Sequence, residues 1–458
     1  MKKIVCLSGT TLLVALLVGA AWAQRSETRR GITPEDYFAF EFLSDPNLSP
    51  DGQYLVFLSS RPAGTESNAA TTNARAAASP APTASPTQVP TPEPTPTTPS
   101  TPGVSSALST TSVAETPRTQ VYLLPMNGGE PRRLTNLKNG ASNVQWSPDS
   151  TRIVLLSRTG PSDEHPARSD VRHYFHPSYK FNDTGWFDDR RSHIFVVDVK
   201  TGAARQITSG DDWNDTDPQW SPDGKRIAFV SDRTGKAFDE SRNSDVWVTS
   251  AEGGALTKIS DHEEEDNNPR WSPDGRTIAF IGAVHERDHP KIWLAPATGG
   301  APSVLAARDL DLIPSDLTWA EQGRALYFGT GVKGEYQIFR IVVDAKTVQQ
   351  VTHGARAVRG ADINDETGRM VYTVNDFKHL DDLYVADLNG RNERQLTHLN
   401  ERLWRQLQLQ DVERFTYKGA DGWDIDGFLV KPIGWHEGKK YPLILSVHGG
   451  PAGQYGVD

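Results

Sequence analysis

Residues 441–447 read Tyr-Pro-Leu-Ile-Leu-Ser-Val and run into His448-Gly449-Gly450-Pro451, the stretch whose residue types and order could do chemistry. A strand of this kind ending in two glycines lets the backbone approach a substrate carbonyl closely. An N–H placed there stabilises the oxyanion that forms when the carbonyl is attacked. Acyl transfer by that route also needs a serine on a Gly-x-Ser-x-Gly elbow, followed by an acid and a histidine. No Gly-x-Ser-x-Gly occurs in the 458 residues, so no catalytic residue is assigned and the chain is expected to be inactive alone.

Three other groups carry candidate chemistry. His285-Glu-Arg-Asp-His289 matches a zinc-protease pattern, but that chemistry needs both histidines on one helix face. Here Pro290 follows at once, and the run falls between the strand-like segments 278–281 and 291–294, so a turn without metal is expected. His165, His173 and His176 are loosely spaced in an aromatic insertion and read as loop histidines. Asp211, Asp212, Asp215 and Asp217 form one acidic cluster, and Asp261, Glu263, Glu264, Glu265 and Asp266 form another. They read either as a solvated rim or as a field that attracts the amino terminus of a peptide. No cofactor is expected.

The elements that must position these groups are visible as repeats. Trp146-Ser-Pro-Asp-Ser150, Trp220-Ser-Pro-Asp-Gly224 and Trp271-Ser-Pro-Asp-Gly275 are near copies, and Leu48-Ser-Pro-Asp-Gly52 is a fourth. Degenerate copies start at Trp319 and Ile363. Proline presets φ, aspartate suits the next position and glycine closes the turn, so each copy is a corner between two strands. A second repeat alternates with the first: Gln120…Leu134-Thr135, His193…Ile207-Thr208, Asp245…Ile259-Ser260, Lys291…Leu305, Gln337…Val351-Thr352 and Asp382…Leu396-Thr397. Trp220, Trp271, Trp319 and Ile363 are 51, 48 and 44 residues apart, a period that fits four-stranded propeller blades. The fold class expected is mainly β: a propeller of six to eight blades, with seven the central expectation, over residues 119–405.

Composition sets the limits. A net charge of −10 and scattered Lys and Arg leave nothing to neutralise phosphates, so nucleic acid is excluded as a partner. Residues 1–23 have Lys2 and Lys3, a short apolar run and Ala21-Trp22-Ala23, which together read as a cleavable signal peptide. The protein is therefore expected to be exported, periplasmic or secreted, with no stable membrane anchor after cleavage. Cys6, the only cysteine, lies in that segment, which removes disulfides and thiolate chemistry from the rest. Residues 24–60 hold a short helix, placed at 34–43 after Thr33-Pro-Glu-Asp36, and the start of the first blade. Residues 61–118 are a Pro/Thr/Ala/Ser-rich insertion expected to be disordered. Residues 161–191 are a second, aromatic insertion. From 406 to 458 the pattern changes to strands at 414–417, 425–431 and 441–447, with a turn at Ala420-Asp-Gly422.

A Trp-Ser-Pro-Asp-Gly propeller followed by Gly427-Phe-Leu-Val-Lys-Pro432, Tyr441-Pro-Leu and His448-Gly-Gly-Pro451 resembles the prolyl oligopeptidase family of serine peptidases. The nearest branch resembles acylaminoacyl-peptidase and dipeptidyl-peptidase-like enzymes, supported by Tyr179-Lys-Phe and Gly185-Trp-Phe-Asp-Asp189. The resemblance implies that residues 406–458 open an α/β-hydrolase domain cut short before its triad. It also implies that the Gly450 N–H is the oxyanion donor, with Gly449 shaping the turn. The expected function is the propeller and oxyanion-strand portion of an exported exopeptidase or oligopeptidase acting on short peptides. A homo-oligomer is compatible with this reading. The alternative is a non-catalytic periplasmic propeller of the TolB kind that binds protein partners, which would have no use for residues 411–451.

Overall fold

The computed structural model describes residues 29–41, 47–59, 118–163, 174, 180–181, 185–186, 188–235, 243–285, 288–305, 312–449 and 453–457. The insertion at 61–118 apart from its last residue, the signal-like segment 1–23, and His165, His173 and His176 lie outside these residues.

Six four-stranded antiparallel units follow one another among the described residues. Blade 1 is Asn47–Leu48, Tyr54–Ser59, Gln120–Pro125 and Arg132–Arg133, and blade 2 is Ser142–Trp146, Arg152–Thr159, Arg191–Asp198 and Ala204–Gln206. Blade 3 is Asp215–Trp220, Arg226–Ser231, Asp245–Ser250 and Thr257–Lys258, and blade 4 is Asp266–Trp271, Thr277–Gly282, Lys291–Pro296 and Ser303–Val304. Blade 5 is Ser315–Ala320, Ala325–Val332, Glu335–Val342 and Val348–Gln350, and blade 6 is Ala357–Asn364, Arg369–Asp376, His379–Asp387 and Arg394–Gln395. The fifth and sixth touch through one parallel bridge, Tyr336 with Ala357. First strands of successive blades contact each other, so they form the inner ring of a β-propeller.

The second strand of each blade is sandwiched between neighbouring blades, which explains its unbroken apolar runs. Ile153, Val154, Leu155 and Leu156 are all buried, as are Ile227 to Val230 and Ile278 to Ile281. Their side chains alternate between two interfaces. Ile153 and Leu155 pack with Val56 and Leu123 of blade 1, whereas Val154 and Leu156 pack with Ile227 and Phe229 of blade 3.

The two sequence repeats have distinct physical roles. In the corner, the serine hydroxyl donates to the aspartate carboxylate at 2.6 Å in Ser49–Asp51, Ser221–Asp223 and Ser272–Asp274. That serine oxygen also accepts the N–H of the second strand's first residue, at 2.9 Å for Tyr54 and Arg226. The turn closes in the left-handed region, at φ 65° for Gly224 and 68° for Gly275, while Ser150 takes the same position at 59°. These serine bonds hold the carboxyls of Asp51, Asp223 and Asp274 below their ordinary range.

In the second repeat, a threonine or serine hydroxyl accepts the N–H that follows a buried polar residue. Val121, Ile194, Val246, Ile338 and Leu383 donate to Thr135, Thr208, Ser260, Thr352 and Thr397. The threonine then donates onward to Gln120, Gln337 or Asp382. In blades 1, 2, 3, 5 and 6 the third strand is thus locked to the segment that follows the fourth.

Two expectations are corrected. The helix placed at 34–43 is a 3-10 turn, Pro34–Ala39, which ends where Phe40 turns extended at φ −69° and ψ 136°; Phe42 and Leu43 lie outside the described residues. Its start is as expected: Asp36 accepts the Thr33 N–H at 2.8 Å and both guanidinium arms of Arg30 at 2.6 Å. The segment 441–447 has no ladder partner among the described residues and so is not a strand. Backbone polar groups without a neighbouring chain cannot make a sheet.

A strap closes the propeller's ends. Arg30 bridges Leu407, the Arg30 N–H donates to the Gln406 carbonyl at 2.9 Å, and Asn400 makes a reciprocal pair with the Glu41 backbone at 2.7 and 2.8 Å. Phe40 lies against Trp404, with ring centres 5.3 Å apart.

Blades are joined at their corners by tryptophan. The Trp271 indole donates to the Gln219 carbonyl of blade 3 at 3.2 Å, and Arg226 of blade 3 lies over its ring at 4.5 Å. Trp220 is held likewise by Arg152 of blade 2 at 4.8 Å, but its indole N–H has no acceptor among the described residues. Trp271→Phe should therefore cost about 1 kcal/mol more than Trp220→Phe, the worth of one net hydrogen bond. Urea unfolding of both variants measures this, and an equal or reversed order would show that the indole bond contributes nothing.

Candidate active-site region

Strand order fixes which groups share a face. First strands end at the Trp-Ser-Pro-Asp corners, so turns between second and third strands lie at the opposite end of each blade. So do the connections from fourth strands to the next blade. That end collects both insertions, at 61–118 and 161–191, both acidic clusters, and the hairpin tips around Gly334 and Phe377.

The C-terminal segment sits on this same end. The hairpin Val412–Lys418 with Asp424–Val430 forms as expected around Gly422, which has φ 78°. Phe428 packs edge-on against Phe377, with ring centres 5.4 Å apart. A Cβ on Gly334 would come within 2.9 Å of the Phe428 ring, so glycine permits this approach as well as the turn. Lys378 pairs with Asp411, and the Val457 N–H donates to the Gly334 carbonyl at 2.8 Å.

The segment 448–451, expected to form the oxyanion element, is only partly described. His448 and Gly449 are exposed. The His448 ring meets Tyr455 edge-on at 5.9 Å, and the Tyr455 hydroxyl is 2.9 Å from Ser446 Oγ. Gly450 and Pro451 lie outside the described residues. Leu443, Ile444, Leu445 and Val447 are exposed, although their sequence reads as core.

The acidic clusters divide into two kinds of carboxylate. Asp211, Asp212, Asp261, Glu263 and Glu265 are exposed on the rim. Asp215 and Asp266, which open the first strands of blades 3 and 4, are fully buried. Asp215 accepts from Arg233 at 2.7 Å and faces His193 Nδ1 at 3.1 Å. Asp266 faces His262 Nδ1 at 2.7 Å. These two are structural ion partners rather than rim charge. His285 sits in a turn with its ring 3.1 Å from Glu263, and Glu286 and Arg287 lie outside the described residues. Among the described residues no group of three His, Cys, Asp or Glu could hold a metal ion, and no helix is long and apolar enough to cross a membrane.

A cavity of about 500 Å³ opens between blade 6 and the short helix Glu401–Trp404. Of its lining groups, Lys378 pairs with Asp411, His379 with Asp376 and Arg405 with Glu401, and Arg29 and Asp382 also line it.

Sequence reasoning did not single out Asp245, the buried residue that opens the third strand of blade 3. The polar residue at that position in each copy of the second repeat was the available signal. Burial pushes the Asp245 carboxyl up to about 6, against the opposing pull of Lys258 at 3.1 Å.

Comparison with known proteins places this architecture. Residues 183–283 match the dipeptidyl peptidase IV (DPP IV) N-terminal region. Dipeptidyl-peptidase 5 of Porphyromonas gingivalis is 28% identical over 279 residues, 57% of this chain and 40% of that protein. The uncharacterized peptidase YuxL of Bacillus subtilis is 26% identical over 449 residues, 93% of this chain and 67% of that one. These similarities support a prolyl oligopeptidase-family peptidase. Among solved structures, the acylaminoacyl peptidase of Pyrococcus horikoshii superposes with a TM-score of 0.63 at 19% identity, over 90% of this chain and 54% of that chain, so the fold is shared. The chain thus spans about half the length of that peptidase and less than half of the dipeptidyl-peptidase 5.

The Asp245 assignment has a pH signature. A carboxyl raised in the folded state is protonated there at acid pH and must ionise at a cost as pH rises from about 4 through 6. Asp245→Asn should leave stability nearly unchanged at pH 4 and increase it by about 1–2 kcal/mol at pH 7.5. Chemical denaturation at the two pH values checks this, and a loss at pH 7.5 would mean that the Lys258 pair outweighs burial.

Proposed function

We propose that this chain supplies the propeller and the oxyanion strand of an exported serine exopeptidase or oligopeptidase that acts on short peptides. The observation that carries the reading is the seating of residues 411–457 on the loop end of blades 5 and 6, held by Phe428–Phe377, Lys378–Asp411 and Val457–Gly334. A propeller that only bound protein partners would have no use for a hairpin docked there. The names of its relatives, a dipeptidyl-peptidase and an acylaminoacyl peptidase, support a peptide substrate.

The reaction proposed is acyl transfer. A serine activated by histidine attacks the scissile carbonyl, and backbone N–H donors hold the oxyanion. His448 to Pro451 supply that donor element, with Gly450 as the donating residue. The propeller covers the site, and its exposed acidic rim on blades 3 and 4 draws the peptide amino terminus. Apart from that rim, the geometry assigns no general base: His448 is exposed and its ring contacts Tyr455 rather than a carboxylate.

Because the 458 residues contain no Gly-x-Ser-x-Gly, they should neither hydrolyse aminoacyl-arylamides nor react with a fluorophosphonate probe. Mass spectrometry of the probe-treated protein tests this. Covalent labelling of a serine together with turnover would show that a nucleophile is present in another sequence context.

A further inference from the structure

First strands of blades 2 to 6 each carry a bulge whose central residue is left-handed: Asn143, Asp217, Asn268, Asp316 and Gly360. This register aligns two successive junctions. Two residues before the centre stand Asp215 in blade 3 and Asp266 in blade 4. On the facing third strands, His193 and Asp245 are aligned by the hydroxyls of Thr208 and Ser260, which accept the N–H of the residue after each. At the first junction a base meets an acid: His193 Nδ1 is 3.1 Å from Asp215, and Arg233 donates to the second carboxylate oxygen at 2.7 Å. At the second, an acid meets an acid. The Asp266 N–H donates to the Ser244 carbonyl at 2.7 Å, which seats Asp266 beside Asp245, and both are buried.

The donors around this second pair are too few for two carboxylates. Lys258 is 3.1 Å from Asp245 Oδ2 and also pairs with the exposed Asp261. His262 Nδ1 is 2.7 Å from Asp266 Oδ1, and its ring lies 4.4 Å from Trp293 and 5.9 Å from Phe280. Arg233 is engaged by Asp215. Ser231, opposite Asp245 in the ladder, makes no bond with its hydroxyl. Asp245 Oδ1 and Asp266 Oδ2 are therefore buried acceptors without a donor among the described residues. The chain makes room for this arrangement: a Cβ on Gly282, opposite Asp266, would fall 1.8 Å from Asp266 Oδ1.

We propose that the Asp245–Asp266 contact is a proton-operated latch on the acidic loop 261–266, closed when Asp245 takes up a proton in mild acid and loosened when it loses it. One proton from solvent cancels one of two buried like charges and turns an orphan acceptor into a donor. Burial, with the charges of Asp266 and Asp261 behind it, sets that uptake at about 6 against the pull of Lys258. With Asp245 protonated, Asp266 keeps a lone charge beside His262, and Lys258 serves Asp261 at the start of the loop. With Asp245 ionised, the two carboxylates repel across the junction, and Lys258 is drawn from Asp261 into the blade. The loop between these anchors carries Glu263, Glu264 and Glu265, so the order of the rim follows pH. The latch is independent of the peptidase reading, because no nucleophile or ligand enters it.

Hydrogen exchange of the full chain at pH 5 and pH 8, corrected for intrinsic rates and read on peptides covering residues 259–266, tests the proposal. Protection there should be about ten-fold greater at pH 5, while the blade 5 strands keep theirs. Asp245→Asn cannot ionise and should hold the loop at its pH 5 protection at both values. Glu265→Gln, on the exposed rim, should keep the pH difference. The thermal midpoint of each variant reports whether the fold is intact. Equal protection at the two pH values, or a pH difference that survives Asp245→Asn, overturns the latch. Should Asp245→Asn fail to fold, the unaltered chain followed from pH 5 to pH 8 still decides, since a change centred far from about 6 places the proton elsewhere.

Discussion

The whole architecture depends on how one blade grips the next. At three corners a tryptophan turns its edge to the backbone of the preceding blade: Trp146 to the Asn47 carbonyl at 3.0 Å, Trp271 to the Gln219 carbonyl at 3.2 Å and Trp319 to the Arg270 carbonyl at 3.0 Å. An arginine from that preceding blade covers the ring of Trp220 and of Trp271 and reaches on to the next corner, as Arg152 does to the Gly224 carbonyl at 2.7 Å. Neither half would suffice alone. The indole supplies apolar area and one directional bond, and the guanidinium holds the ring from its other face. Because residues 7–458 contain no cysteine, no disulfide shares the load with these junctions.

That grip is confined to one end of the blades, and the confinement shapes everything else. Corners must remain short and chemically uniform, since each hydroxyl, carboxylate and ring has a fixed partner. The loops at the other end have no such obligations. They hold the rim acids and the docked C-terminal hairpin. Asp215 and Asp266 mark the border. They belong to the acidic clusters by sequence but are buried among His193, Arg233 and His262, and they hold the inner strands rather than face a ligand.

Much of this was legible in the residues because the repeats are spelled in side chains with a single local role. Ser-Pro-Asp fixes a turn wherever it stands, and the alternation of the two repeats orders the strands before any contact is known. What could not be read depends on partners distant in sequence. Asp266 and Asp261 are equivalent as letters, yet only one is covered by the neighbouring blade. Residues 441–447 have the composition of a buried strand, but a strand exists only beside another, and none of the described chain lies alongside. The bulges of the inner strands leave no common residue: Asn, Asp and Gly all take the left-handed centre.

The strap between residues 30–41 and 400–408 has a consequence for how the protein is made. Glu41 and Asn400 are 359 positions apart, so their reciprocal bonds close nearly the whole chain into one loop. Each blade can form as soon as its own four strands have left the ribosome, because its internal contacts are local. The strap cannot. Until Leu407 has been made, the Arg30 backbone stays without its partner there, and the first blade keeps an open flank. Closure of the strap therefore follows the formation of the six described blades, which stand as an open arc until then.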